Sequence, residues 1–262
     1  MIGIKRTLCI VLAFGAACDR GRDASKADEH EALAATPARP VAPYTARQLT
    51  ALGRLTGHIE LDGAPPPDSV FQPAVDQVVC GTGFTRKGLN TRGNRIANVV
   101  VWLDGIRTGK PLPVERRFEI ANDRCQLVPE LQTVIVGGTL NVRNQDAVEH
   151  RMRVTRREGG EVIATIRETD EGQVVPDERV LAKPGVLELS CAVHPWTRGW
   201  IAVFDHPYFA TSGTDGSFSI DSISPGRYQV RVWHPRLGLS TDSVTIDDGR
   251  ETSTTIRVKA GR

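Results

Sequence analysis

The chain has 262 residues, a formal net charge of +2 and an aromatic content of 5%. A net charge so close to zero argues against nucleic-acid binding, which needs a basic surface to neutralise phosphates. The low aromatic content argues against a stacking platform for bases or long sugar chains. The length is sufficient for two small β domains and a tail.

The first 18 residues predict a targeting segment for export. Lys5 and Arg6 form a charged start, residues 8–14 form a short apolar core, and Gly15-Ala-Ala-Cys18 forms a small-residue cleavage site. The apolar core is too short to span a membrane and has the flanks of a signal peptide. The cleavage site resembles the bacterial lipobox, which implies lipidation of Cys18 and a membrane-anchored periplasmic lipoprotein. Ordinary signal-peptidase cleavage, which releases a soluble protein, is the alternative.

Residues 19–52 predict a tether rather than a folded element. They are rich in alanine, charged residues and proline, including the proline-rich stretch 35–43. Such segments cannot bury enough apolar surface to fold and favour extended, polyproline-like conformations. We therefore expect the folded part to start near Gly53.

From residue 53 onward, short apolar stretches alternate with turn residues. Residues 54–61 alternate between polar and apolar side chains, as expected for a half-buried strand. Gly137 and Gly138 separate two further predicted strands, 132–136 and 139–143. Because no long segment has the helical period of 3.6 residues, the sequence predicts an all-β sandwich.

The five cysteines divide by position. Cys9 and Cys18 belong to the targeting segment. In an exported protein Cys80 and Cys125 are expected to form a disulfide, with additional metal ligands as the alternative. Cys191 is then a lone thiol, which metal ligation would explain; a buried free cysteine is the alternative.

A potential metal site combines Cys191, His194 and His150. Cys191 and His194 lie three residues apart on a predicted tight turn, directly before the apolar run Trp200–Phe204. His150 ends a predicted strand and its following loop. One cysteine and one histidine on a single loop, joined by a distant second histidine, is how type 1 copper sites are assembled.

The segments around these residues resemble the cupredoxin family of plastocyanin-like copper proteins. Gly138-Thr-Leu-Asn-Val-Arg-Asn-Gln-Asp-Ala-Val-Glu-His150 is similar to the segment that supplies the first histidine, and Cys191-Ala-Val-His194 is similar to the family's C-x-x-H loop. This version also resembles exported bacterial proteins of the methylamine-utilisation type. The resemblance implies a cupredoxin-like Greek-key sandwich over residues 53–204. It also implies one type 1-like copper ion, held by His150, Cys191 and His194, for electron transfer with a periplasmic redox partner protein.

The chain departs from the family pattern at the weak axial ligand. Related sequences usually place a methionine shortly after the second histidine, whereas this chain has Thr197 there. Met152 is another candidate, because it lies two residues from His150 on a strand and so faces the same side. Thr197, Met152 or no residue would then be the axial ligand, since type 1 sites tolerate a weak one.

Residues 205–262 predict a second, smaller sandwich. The series D-G-x-F-x-I, followed by P-G-x-Y-x-V-x-V-W-H, spans residues 215–234 and resembles carboxypeptidase regulatory-like domains. That resemblance implies a transthyretin-like (prealbumin) fold. Similar sandwiches occur in carbohydrate-binding-like modules and in a non-catalytic domain of rhamnogalacturonan lyases, so carbohydrate is a candidate partner of this region.

Other candidate residues have structural interpretations. We expect His206 and His234 to cap turns or pack at the domain junction, and Trp196 to shield the metal or fill the core. No hydrolase, phosphate-loop or dinucleotide motif occurs, so we expect no independent enzyme activity. The alternative to copper electron transfer is a metal-free envelope module that binds carbohydrate or a protein partner.

Overall fold

The computed structural model describes residues 43–260. The predicted targeting segment, Cys18 and most of the predicted tether lie outside these residues. Within the described part, no helix combines the length and the apolar character needed to cross a membrane. The elements in chain order are β1 (Thr45–Ala46), β2 (Gly53–Asp62), β3 (Ser69–Phe71), α1 (Gln77–Cys80), β4 (Phe84–Arg86), β5 (Thr91–Arg92), β6 (Arg95–Ile96), β7 (Val100–Leu103), β8 (Thr108–Gly109), β9 (Arg117–Asp123), β10 (Gln126–Val128), β11 (Leu131–Ile135), β12 (Thr139–Asn144), β13 (His150–Arg156), β14 (Val162–Glu168), β15 (Val174–Asp177), β16 (Gly185–Cys191), β17 (Arg198–Phe204), β18 (Phe209–Thr211), β19 (Ser217–Ile223), β20 (Gly226–His234), β21 (Gly238–Ile246) and β22 (Glu251–Lys259).

The strands form two sandwiches, which confirms the all-β fold expected from the sequence. The central sandwich, residues 117–204, has one sheet in the order β10-β9-β12-β15 and another in the order β11-β17-β16-β13-β14. The terminal sandwich, residues 53–62, 89–103 and 209–259, has a β18-β7-β20-β21 sheet. Its second sheet runs β19-β2-β6-β5, with β22 also pairing with β2, while β3 and β4 pair with each other in a separate two-stranded sheet.

Alternation along the strands places one set of side chains in each core. In β13 every second residue from His150 is buried, so His150, Met152 and Val154 face inward. Ile120, Leu140 and the rest of one apolar cluster fill the central sandwich. A separate cluster fills the terminal sandwich.

The distribution of strands differs from the division at residue 204 predicted from the sequence. Strand β2 pairs in parallel with β22 and antiparallel with β19. Leu55 and Ile59 of β2 therefore share a core with Phe218 and Ile256. Residues 53–62 and 89–103 thus complete the terminal sandwich instead of belonging to the central one, because long-range strand pairing buries their apolar face there.

The end of the predicted tether also belongs to the folded part. Strand β1 pairs in parallel with β8. The hydroxyl of Tyr44 donates a hydrogen bond of 2.6 Å to the carbonyl of Lys110, and its ring packs against the terminal core. The strand pairing and the partly buried Tyr44 fix this stretch, so the tether prediction does not extend to residues 44–46.

The two sandwiches share an apolar junction. Val100 and Trp233 of the terminal sandwich pack with Ile135, Ala202 and Phe204 of the central one. Strand β17 contributes two of these residues at its C-terminal end. Its N-terminal end follows the Cys191 loop, so one strand links the junction to the candidate site.

Candidate metal centre

Strand pairing brings the three predicted ligands to one end of the central sandwich. His150 is the first residue of β13 and Cys191 is the last residue of β16, and these strands are antiparallel neighbours with Met152 opposite Cys191. His194 lies in the short loop between β16 and β17. The start of one strand and the end of its antiparallel neighbour meet at the same edge of a sheet, which explains the convergence.

The ligand atoms form a compact triangle. Cys191 Sγ lies 3.8 Å from His150 Nδ1 and 3.7 Å from His194 Nδ1, and the two nitrogens are 3.1 Å apart. The circumradius of a triangle with these sides is about 2.1 Å. Metal–nitrogen and metal–sulfur bonds measure ~2.0–2.3 Å, so the residues fit a single ion without rearrangement.

All three side chains are excluded from solvent. His150 and His194 are 0% exposed and Cys191 is 4% exposed. Cys191 is also the free cysteine of the described residues. A buried thiol between two buried imidazoles is costly unless each polar atom has a partner, and a shared ion provides one.

The second nitrogen of each histidine contacts a carboxylate. His150 Nε2 lies 2.9 Å from Asp146 Oδ2, and His194 Nε2 lies 3.0 Å from Asp76 Oδ2. A carboxylate that accepts the Nε2 hydrogen fixes the ring orientation and directs the Nδ1 lone pair to a metal. The two carboxylates differ in burial, since the Asp146 side chain is 3% exposed and that of Asp76 is 38% exposed.

Electrostatics favour an ionised thiol. Burial alone would raise the pKa of Cys191, but hydrogen bonds with His150 and His194 and from the Arg151 N–H lower that pKa to about 5. Burial would likewise lower the pKa of His150, yet hydrogen bonds with Asp146 and Cys191 raise it to about 9. The two shifts favour a thiolate beside an imidazolium, and a metal bound there would displace the imidazolium proton.

Asp146 is held in place by the turn between β9 and β10. Its two carboxylate oxygens accept backbone hydrogen bonds from Arg124 (2.6 Å) and Cys125 (2.8 Å), while its own N–H donates to Asn144 Oδ1 at 2.9 Å. Burial would raise the pKa of Asp146, but the bonds to His150 and the turn lower it. Arg124 and Cys125 both have positive φ, so the N–H groups point together from a left-handed turn.

A disulfide joins this turn to the segment that carries Asp76. Cys80, the last residue of α1, is bonded to Cys125. Asp76 directly precedes α1, and its backbone carbonyl accepts the Cys80 N–H at 2.8 Å. One covalent bond therefore connects the supports of both histidines.

The predicted axial candidates have other contacts. Thr197 is fully buried, and its hydroxyl donates to the carbonyl of Cys125. Its backbone closes the ligand loop, because its N–H donates to His194 and its carbonyl accepts from Cys191. Met152 is fully buried in the central core beside Cys191. Thr197 thus positions the loop, and an axial role for either residue stays a prediction.

Trp196 covers the loop side of the site. Its side chain is 7% exposed and packs with Cys80 and Cys125, and its ring centroid lies 5.3 Å from that of His194. The indole Nε1 is buried without a hydrogen-bond partner among the described residues. Trp196 therefore shields His194 and also fills a small satellite core.

Three polar residues near the site were not predicted: Asp76, Asp146 and Glu168. Asp146 lies four residues before His150, a spacing that could have suggested it. Glu168 is 0% exposed and lies opposite His150 in the β13–β14 register. Its Oε2 accepts a 2.8 Å hydrogen bond from Asn122, and burial raises its pKa to about 7.

His206 and His234 act as turn caps in the structure. Nδ1 of His206 accepts the Tyr208 N–H and Nδ1 of His234 accepts the Arg236 N–H, each at 3.2 Å. Neither residue belongs to a cluster of ligand atoms within the described part of the chain.

Comparisons with known proteins give partial matches. A family model described as polysaccharide lyase family 4, domain II, matches residues 191–254, less than half of the chain and a different domain from the carboxypeptidase regulatory-like one expected. No curated protein sequence matches the chain.

The similar solved structures include copper proteins. A purple cupredoxin from Nitrosopumilus maritimus is 23% identical, with 33% of this chain and 99% of that chain covered and a TM-score of 0.28. A Cu-containing nitrite reductase from Thermus scotoductus SA-01 is 23% identical, with 38% of this chain and 24% of that chain covered and a TM-score of 0.30. Amicyanin from Paracoccus versutus is 16% identical, with 36% of this chain and 85% of that chain covered and a TM-score of 0.29. These values are too low to support a function, so the metal is inferred from the side chains alone.

Proposed function

We propose that the protein binds one copper ion through His150, Cys191 and His194 and transfers single electrons. The observation that carries this proposal is the triangle of one sulfur and two nitrogens whose circumradius matches a metal–ligand bond. Two imidazoles and one thiolate in a trigonal arrangement are the ligand set of type 1 copper. Copper in such a site cycles between Cu(I) and Cu(II) without other chemistry at the protein.

The donor set favours copper over zinc. Structural zinc sites take four nitrogen or sulfur ligands in a tetrahedron. In residues 43–260 the cluster that contains Cys191 consists of that thiol and two histidines, three ligands. A fourth strong donor is what a structural zinc site would require.

The fold fixes the positions of these ligands and buries them from solvent. Two of them lie on neighbouring strands, and the third lies on a loop closed by the backbone of Thr197. Asp146 and Asp76 fix both imidazole rings. Ligands fixed by strands and hydrogen bonds and buried from solvent would keep the reorganisation on electron transfer small.

The segment around Asp76 offers a surface for a redox partner protein. Asp76 is the half-exposed group that contacts His194, so it lies between the buried ligand and solvent. Val75 and Val78 beside it are 44% and 101% exposed. Exposed apolar residues next to a functional group are typical of a protein contact, and we place the electron-exchange partner here.

An exported location fits the disulfide. The Cys80–Cys125 bond is of a kind that persists in oxidising compartments and is rare in the cytosol. Together with the targeting segment expected from the sequence, it supports the proposal of a periplasmic location. We further propose that the protein is anchored there through Cys18 and acts as an electron carrier, not as an independent enzyme.

A second candidate function is carbohydrate binding at the junction of the sandwiches. A cleft of about 410 Å³ lies there. Aromatic faces and ion-paired groups together suit a hydroxyl-rich ligand. The residues concerned are Trp102, Phe204 and Trp233 with the pairs Arg107–Asp205 and Arg231–Asp104. Titration with neutral cello- and xylo-oligosaccharides, followed by tryptophan fluorescence and repeated with Trp102→Ala, tests this candidate; unchanged fluorescence would remove it.

Copper titration of the purified protein tests the leading proposal. We expect one equivalent of Cu(II) to bind and to produce a visible thiolate-to-copper charge-transfer band. Cys191→Ser should remove the band and leave the circular dichroism of the fold unchanged. Ser190→Ala, the neighbouring control, should retain both. If the wild-type protein takes up copper without this band, the thiolate is not a ligand and the proposal fails.

A further inference from the structure

A second group of potential ligands lies next to the first and shares one residue with it. The sulfurs of Cys80 and Cys125 and one ring nitrogen of His194 all lie within 4.8 Å of one another, and all three residues are buried. We propose that reduction of the Cys80–Cys125 disulfide creates a Cu(I)-binding site from these three residues, and that this site loads the metal centre through His194.

The reduction is a two-electron thiol–disulfide exchange. A dithiol carrier attacks one sulfur, the Cys80–Cys125 bond breaks, and a mixed disulfide forms. The second thiol of the carrier resolves it, so the carrier leaves as a disulfide while Cys80 and Cys125 gain two electrons and two protons. Cu(I) then displaces the thiol protons when it binds.

The chemistry of the three residues suits Cu(I). Thiolates are soft ligands that select Cu(I) among the biological metals. Two sulfurs and an imidazole nitrogen give a low-coordinate site, and burial keeps water from it. Partly buried Phe71, Val79 and Phe84 pack against the cluster that contains both cysteines.

The position of Cys125 explains how an ion could move on. Besides its place near His194, its sulfur belongs to a further group with Asp146 and His150, again with all ligand atoms within 4.8 Å. An ion held by Cys125 is therefore close to both histidines of the metal centre. Transfer needs only the exchange of one ligand at a time, with His194 common to both sites.

The unpartnered indole of Trp196 also fits a thiolate state. Its Nε1–H is buried in the cluster that contains Cys80 and Cys125, and it has no acceptor among the described residues. A buried donor without an acceptor is costly. Disulfide sulfur is a poor hydrogen-bond acceptor, whereas a thiolate in the same cluster is an anionic acceptor of the kind that this N–H lacks.

One short segment carries Cys80. Helix α1 has four residues, Gln77 and Val78 within it are exposed, and Cys80 at its end is 5% exposed. A carrier thiolate can reach Cys80 once this single turn moves. The same movement releases Asp76 from His194, so the loading site opens together with the metal centre.

The destination of the ion rests on the proposed function, but the thiol site itself does not. Its test therefore uses Cys191→Ser, in which the blue-copper thiolate is absent. The protein is reduced with a phosphine, which becomes the phosphine oxide with oxygen from water, and is then desalted without air. Cu(I) is supplied as its acetonitrile complex in competition with a coloured Cu(I) chelator.

In competition with the chelator, we expect the reduced Cys191→Ser protein to retain one more equivalent of Cu(I) than its oxidised form retains. X-ray absorption should show two sulfurs and one nitrogen around that ion. The added Cys80→Ser change should abolish the difference, and the added His194→Gln change should weaken retention while leaving two sulfur ligands. Equal Cu(I) retention by reduced and oxidised Cys191→Ser protein would overturn the inference, even if the wild-type blue site were intact.

Transfer has its own readout. Reduced wild-type protein preloaded with one Cu(I) is then oxidised with three equivalents of ferricyanide, which takes two electrons from the two thiolates, whose protons passed to solvent when Cu(I) bound, and one from Cu(I). After desalting, the visible charge-transfer band should be present, with Cys80 and Cys125 again joined. A band that never develops, although directly added Cu(II) gives one, would contradict loading through this route.

Discussion

The two sandwiches of this chain differ in the number of buried polar residues that they contain. Of the ten buried polar or charged residues in the described chain, eight lie in the central sandwich. The terminal sandwich contains Ser212, which accepts the Val99 N–H and donates to the Ile96 carbonyl. Since a buried polar group costs stability unless it is hydrogen-bonded, their concentration in one sandwich indicates a functional role there and a supporting role for its neighbour.

The central sandwich also leaves some of these groups without partners. Asn122 Oδ1 and Glu168 Oε1 are buried and have no hydrogen-bond partner among the described residues. A partly satisfied polar network is less stable than an apolar core. The terminal sandwich, with its continuous apolar cluster, has far fewer buried polar groups.

The largest stability effect should come from the terminal core. Ile59 is 0% exposed within that cluster, so Ile59→Ala should cost about 2–5 kcal/mol of unfolding free energy through lost burial and a cavity. Denaturant unfolding measures the loss, and Ile59→Val, expected to cost ~0.5–1.5 kcal/mol, is the matched control. Copper affinity of the folded variant should not change; a changed affinity would mean that the two sandwiches are not separable in function.

Removal of the disulfide should have the next largest effect. Cys80 and Cys125 are 45 residues apart in sequence, and release of such a loop should cost about 2–4 kcal/mol. The double variant Cys80→Ser, Cys125→Ser, unfolded in denaturant without metal, measures this cost. A double variant as stable as the wild type would show that the disulfide does not stabilise the end of the central sandwich that carries His150 and His194.

The two carboxylates on the histidines should differ in their effect on the metal. Asp146→Asn should weaken copper affinity by about 10–100-fold, as expected when a group that orients a ligand is lost. Asp76→Asn should weaken it less, because the Asp76 side chain is 38% exposed and solvent can take its place. Competition with a chelator gives both affinities, and a larger loss for Asp76→Asn would reverse the assigned roles.

A pH effect is expected in the terminal sandwich. Burial, with a further contribution from Arg236, lowers the pKa of His234 to about 4, so the folded state keeps this imidazole neutral. The unfolded chain takes up the proton near its ordinary pKa of 6.5, and stability should fall as pH decreases from about 6.5 to 4. His234→Asn, which keeps an acceptor for the Arg236 N–H, should reduce this slope; an unchanged slope would exclude His234 as its source.

The convergence of Cys191, His194 and His150 was predictable because the two segments that carry them resemble cupredoxin segments. Cys191 and His194 share one loop, and His150 follows a recognisable strand, so the convergence needed only the pairing of neighbouring strands. Asp76 was not predictable, because it is 118 residues from His194 and reaches the site through the disulfide-linked α1 segment. No pattern near Asp76 marks that contact.

The predicted domain boundary failed for a related reason. The strand pattern of residues 54–61 predicts an element but does not say which sheet it joins. Its partner β22 lies at the other end of the chain, in a parallel pairing. Only the shared burial of residues such as Leu55 and Ile256 decides that β2 completes the terminal sandwich.

X-ray absorption at the copper edge tests the central claim most directly, because it counts the atoms bound to the metal. For the full-length protein loaded with one equivalent of Cu(II), the triangle predicts one sulfur and two imidazole nitrogens at ~2.0–2.3 Å. The sulfur contribution should disappear in Cys191→Ser. A spectrum of the wild-type protein with nitrogen and oxygen neighbours but no sulfur would contradict the account.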